Sequence, residues 1–191
     1  MHIKLDIPWR RYALIAELAK RLEDKSPQFG KTALQKMVYI LQDVYGIDCG
    51  YDFELYTYGP FTSQLLQDLD LVEHMGGVSI RPVLSSTGGY EIQPGKQADL
   101  LREKGADFLN DRRVSKAISS LADEFGDLWA KDLELRSTIV YVERDHRRQG
   151  KRLSSDEIIH VVKQVKPKFT EMEIREAVEE MKFKKYIDLS S

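Results

Sequence analysis

Residues Phe29 to Gln42 read FGKTALQKMVYILQ, and the reading of this stretch decides the fold. It opens with Gly30-Lys31-Thr32, the tail of a phosphate-binding loop, and passes at once into a helical pattern. A phosphate loop needs an earlier glycine, so that successive amides wrap the phosphates, and a buried strand ahead of it. Lys25 occupies that glycine's position, and the preceding RLEDKSPQ is a charged helix end. Gly30 is therefore read as the break before a helix running from about Lys31 to Tyr45, stopped by Gly46. Leu34, Met37, Val38, Leu41, Val44 and Tyr45 share one face of that helix, an amphipathic pattern. Lys31, Gln35, Tyr39 and Gln42 stack roughly one turn apart on a second stripe, away from the apolar face.

The flanking sequence extends the pattern. Trp9 to Leu22 reads as a first helix, with Leu14, Ile15, Leu18, Ala19 and Leu22 at helical spacing and Pro8 at its start. In YDFELYTYGPF, Phe53, Leu55 and Thr57 alternate with Glu54, Tyr56 and Tyr58, which predicts a strand. Gly59-Pro60 is expected to start a third helix ending near Met75. VSIRPVL and EIQP form a hairpin around TGGY. This order predicts a winged-helix-like unit over residues 1–95.

Residues 96–191 read as a helical unit. Helices are expected over about Lys96–Glu103, Val114–Phe125 and Leu128–Arg147, followed by the basic connector RDHRRQGKRLSS. Ser154-Ser-Asp-Glu157 and Thr170-Glu-Met-Glu173 match the capping box, and Lys166-Pro167-Lys168 separates the two helices they begin. The ending KKYIDLSS allows a short strand. The expected class is α+β and mainly helical, with a winged-helix-like N-terminal unit packed through the Leu128–Arg147 helix on a C-terminal helix-turn-helix unit.

Composition narrows the function. A 31% charged, 42% hydrophobic chain with net charge −2 is an ordinary water-soluble composition with no global attraction to polyanions. No apolar run approaches the roughly 20 residues that span a bilayer, and MHIKLDIPWRRY lacks the apolar segment of a secretory signal. The single cysteine, Cys49, fits a reducing compartment. A cytoplasmic protein without a membrane partner is expected. His2, His74, His146 and His160 show no zinc-site spacing, no glycine-rich cofactor loop is present, and no nucleophile motif occurs. No metal, no cofactor and no catalytic residue is assigned, and a non-enzymatic role is expected.

Helix-turn-helix architecture raises nucleic-acid binding. A recognition helix must not present carboxylates to phosphates. The third helix shows Thr62, Ser63, Gln64, Gln67, Asp68, Asp70 and Glu73, without lysine or arginine, and the last helix is rich in glutamate. The alternative site for a winged-helix DNA-binding regulator is the basic tract Arg144, Arg147, Arg148, Lys151 and Arg152, with Lys166 and Lys168 at the turn. The sign of the charge favours a protein partner instead. Its expected contacts are Lys31, Gln35, Tyr39, Tyr56 and Tyr58, since aromatics among long polar side chains are interface ingredients. A homodimer is left open.

Leu34-Gln35-Lys36-Met37-Val38-Tyr39, followed by Tyr56-Thr57-Tyr58-Gly59-Pro60, resembles the hallmark of the SocA-like or Panacea domain over roughly Lys31 to Leu71. Asp68-Leu69-Asp70 and Lys166-Pro167-Lys168-Phe169 add a resemblance to the uncharacterised YwgA-like proteins of bacteria and archaea. The resemblance implies an antitoxin-like protein or an adaptor whose partner is a toxin or a protease. It carries over no catalytic residue. The helical C-terminal half departs from a simple antitoxin.

Overall fold

The computed structural model describes residues 7–84 and 88–190. Helix α1 (Trp9–Leu22) and helix α2 (Lys31–Asp43) begin where the sequence places them. Strand β1 (Glu54–Tyr56) turns back at once into β2 (Gly59–Phe61), antiparallel, with Tyr56 opposite Gly59. Helix α3 (Ser63–His74) and the hairpin of β3 (Val78–Pro82) and β4 (Tyr90–Pro94) follow. Then come α4 (Ala98–Lys104), α5 (Ala106–Leu109), α6 (Arg112–Phe125) and the long α7 (Ala130–Arg148). Helices α8 (Ser155–Val165) and α9 (Glu171–Phe183) close the chain. The class is α+β and mainly helical, with two small antiparallel sheets among the described residues.

Several expectations are corrected. Gly59-Pro60 does not open a helix but forms the second strand of a minimal hairpin. Gly59 takes φ +89, the left-handed region that glycine enters without steric cost. Helix α2 ends at Asp43, and Gly46 supplies the left-handed residue (φ +67) just beyond. No strand forms among residues 184–190. The connector expected after Arg147 is shorter than read from the sequence, because α7 continues through Arg148. The tip of the second hairpin, residues 85–87, lies outside the described residues.

Helix α2 sits at the centre. Every residue from Ala33 to Leu41 is buried. It packs on α7, itself buried along Leu133–Leu135 and Ser137–Val140, and on α6 and β2. Helix α1 lies against α4, α3 and α5. One contiguous apolar cluster runs from Leu14 and Leu18 through Met37 and Leu41 to Ile139, Ile158 and Met181. Gly30 serves this packing. A methyl group there would stand 2.5 Å from the Tyr90 carbonyl oxygen, and the neighbouring Phe29 carbonyl accepts from the Ile92 amide at 2.7 Å. The glycine is present so that a hairpin can approach.

Both capping boxes form. The Ser154 hydroxyl accepts from the Glu157 amide, and the Thr170 hydroxyl from the Glu173 amide at 3.2 Å; each glutamate returns the contact to the cap amide at 2.7 Å. Backbone bonds to the Thr170 cap, with Lys131 close by, hold the Glu173 carboxyl down at about 2. Replacing Thr170 with Ala is expected to cost about 1 kcal/mol in urea unfolding, with the far-ultraviolet dichroism of the folded state retained.

Candidate functional site

A helix buried on all sides must satisfy its polar side chains internally, and α2 does so on the segment from Tyr51 to Thr62. Gln35 grips Thr62 twice, donating to its carbonyl at 2.7 Å and accepting from its amide at 3.0 Å. Lys36 donates to the Pro60 carbonyl at 2.7 Å. Gln42 donates to the Tyr51 carbonyl at 2.8 Å. Tyr39 packs edge-on to Phe53 with ring centroids 5.2 Å apart, and lies 6.1 Å from Tyr141. The polar stripe expected on the outside of α2 is therefore corrected. Gln35 and Tyr39 are 2% exposed, and they hold the aromatic segment from within.

The turn of that segment is tied from a second direction. Glu134 of α7 is buried and pairs with Lys166 at 3.2 Å and Lys168 at 2.7 Å, both from the α8–α9 turn. The Lys166 ammonium also donates to the Tyr56 carbonyl at 3.1 Å and to that of Thr57. Gly59 fills the remaining gap: a methyl group there would lie 3.1 Å from the Thr138 hydroxyl and 3.3 Å from Lys36 Cε. Burial pulls the Lys36 pKa down to about 8; Glu134 opposes the shift, and Lys166 and Lys168 add to it. Burial also lowers the pKa of Lys166, against the pull of Glu134.

What remains outside on this segment is Asp52, Glu54, Thr57 and two aromatic rings. Tyr56 and Tyr58 are 66% and 60% exposed, on either side of the clamped turn. Beside them a cavity of about 180 Å³ is lined by Lys31, Lys36, both tyrosines, Phe61 and Leu66. Lys31 and Thr32 also border a larger cleft of about 590 Å³, whose walls include the exposed rings of Tyr90 and Trp129. Lys31 lies over the Tyr90 ring at 5.0 Å and makes no ion pair among the described residues. Of the five residues expected to bind a partner, the structure thus brings Lys31, Tyr56 and Tyr58 to one open surface.

The basic tract is largely neutralised. Arg144 pairs with buried Glu143 and donates to the carbonyls of Asp43 at 3.2 Å and Tyr186 at 2.9 Å. Arg147 lies 3.6 Å from Glu143, Arg148 lies 3.5 Å from Asp43, and Arg152 pairs with Asp188. Lys151 is exposed. Lys166 is 3% exposed, so it is withdrawn from any phosphate backbone. Thr62, at the N-cap of α3, and Asp68 within that helix are buried rather than outward. Asp68 accepts from the Tyr51 hydroxyl at 2.8 Å and pairs with Arg11 at 2.9 Å. Asp70 and Glu73 stay exposed, as do Glu171, Glu176 and Glu179 on α9.

Sequence reasoning missed Lys36, Glu134, Tyr90 and Trp129. The Lys36 ammonium was open to suspicion, since it follows Leu34 and Gln35 within the helical core pattern. Glu134 and Trp129 carry no local signal. No cluster of three or more metal-ligating side chains occurs among the described residues. Burial pushes the Cys49 thiol up to about 12, which leaves it an inert thiol. Among the described residues no helix is long and apolar enough to cross a membrane. Comparison with family models, curated proteins and solved structures gives no match.

The buried ammonium has a pH signature. With a folded-state pKa of about 8 against an ordinary 10.5, the folded chain holds fewer protons than the unfolded chain between those values. Stability therefore rises with pH across that window, by up to about 3 kcal/mol. Chemical unfolding of the wild type and Lys36→Met is expected to differ in this slope, the variant lacking the Lys36 part of the rise.

Proposed function

We propose that the protein is a non-enzymatic interaction module, antitoxin-like or an adaptor, which captures another polypeptide on the Tyr56–Pro60 turn. The observation that carries this reading is the pair of exposed tyrosines on backbone fixed by three side chains from two elements, α2 and the α8–α9 turn. Aromatic side chains held rigid before contact lose little entropy on binding and are frequent binding hot spots. Lys36 holds Pro60, Gln35 holds Thr62, and Lys166 holds Tyr56 and Thr57. The adjoining cleft extends the aromatic surface to Tyr90 and Trp129. On this reading α1 to β4 serve as a winged-helix-like scaffold, α8 and α9 as a helix-turn-helix buttress, and the setting is the cytosol. A toxin or a protease is the partner class that the resemblance to SocA-like domains suggests.

The same geometry separates two kinds of variant. Tyr56→Ala and Tyr58→Ala are expected to leave thermal unfolding within a degree or two while abolishing capture of a partner from native lysate. Tyr39→Ala removes a buried ring and is expected to lower stability by about 3 kcal/mol, so lost capture in that variant reports the fold. Full capture by the Tyr56/Tyr58 double variant would dismiss the proposal. A DNA-binding regulator using the arginine tract is disfavoured by the carboxylates and carbonyls that engage Arg144, Arg147, Arg148 and Arg152. It requires duplex retention at low salt that falls steeply with added salt.

A further inference from the structure

The turn is clamped by more positive charge than its surroundings balance. Lys36, Lys166 and Lys168 gather around one carboxylate, Glu134; the other contacts of Lys36 and Lys166 are the neutral carbonyls of Pro60, Tyr56 and Thr57, and Lys168 lies over the Tyr58 and Phe169 rings. The cavity beside them adds Lys31, which has no carboxylate partner among the described residues, and no carboxylate lines it. At about 180 Å³ it falls below the roughly 300 Å³ at which small-molecule pockets begin. It holds one side chain. The larger cleft next to it shares Lys31 and adds Lys131, but Lys131 is already paired with Glu173 at 2.9 Å and Asp132 stands on the same wall, whereas the small cavity is lined by lysines without a carboxylate.

We infer that the cavity between Tyr56 and Tyr58 receives a single aspartate or glutamate side chain of a bound polypeptide, with its carboxylate against the Lys31 and Lys36 ammonium groups. This rests on the interaction reading above and specifies the partner: an acidic residue flanked by apolar ones that cover the tyrosine rings and continue toward Trp129. Phe61 and Leu66 meet the methylene part of the inserted side chain. The low-dielectric wall strengthens the charge pair, and the inserted carboxylate offsets part of the desolvation cost of the buried Lys36 ammonium.

The test is selection of short random peptides on the immobilised full chain, followed by fluorescence polarisation with the selected peptides. Selected sequences are expected to share an Asp or Glu beside apolar residues. Changing that residue to its amide should weaken binding at least about tenfold. Lys31→Glu should do the same without altering thermal unfolding, which keeps the result independent of any folding defect in a Lys36 variant. In a ¹³C titration of the lysine ε-carbons, the bound peptide should raise the Lys36 pKa from about 8. Peptides whose binding needs Tyr58 but tolerates the amide, or which carry no acid, would sink this inference and leave the interaction module standing. Failure to select any peptide, together with capture that survives loss of both tyrosines, would sink both.

Discussion

The bond from the Lys36 ammonium to the Pro60 carbonyl is the constraint on which the surrounding structure depends. An ammonium in an apolar core is tolerated only when its protons are directed at fixed acceptors. That requirement places Pro60 over α2, and the adjacent backbone must then pass Gly59 between Lys36 and Thr138. Gln35 fixes the next residues along, Gln42 the start of the segment, and Tyr39 its middle through Phe53. The two sequence blocks on which the SocA-like resemblance rests are thus two sides of one contact. A helix with interior polar groups needs a loop to satisfy them, and the loop needs that helix to hold its shape.

Much of the helical frame was legible because it is encoded locally. Helix α1 was read to the residue, the two capping boxes form as written, and the β3–β4 hairpin lies where its glycines and alternating residues put it. The failures share one cause. Polar residues at helical spacing were assigned to solvent, although a glutamine can be buried without penalty when a backbone amide and carbonyl meet both ends of it. Gln35 does so with Thr62, a partner 27 residues away that no periodicity reveals. The short hairpin was missed for a related reason: Gly-Pro is a legitimate helix start, and only packing against α7 decides for a strand.

Charge was legible in sign and illegible in pairing. The glutamates on α3 and α9 that face outward are visible in the sequence, and so is the run of arginines at the end of α7. Their neutralisation is not visible, because Arg144 and Arg148 find Asp43 more than 100 residues earlier in the chain. A local count of positive residues therefore overstated the surface potential there. The same count understated it near Tyr58, where lysines from α2 and from the α8–α9 turn converge on one carboxylate.

The contact between Lys166 and the carbonyls of Tyr56 and Thr57 spans about 110 positions. A polypeptide leaves the ribosome from its amino end at roughly 5–20 residues per second. The tyrosine-bearing turn is thus made early and shaped late, after the segment carrying Lys166 has emerged and docked. On the proposed interaction reading, capture of a partner therefore waits on the emergence and docking of that segment.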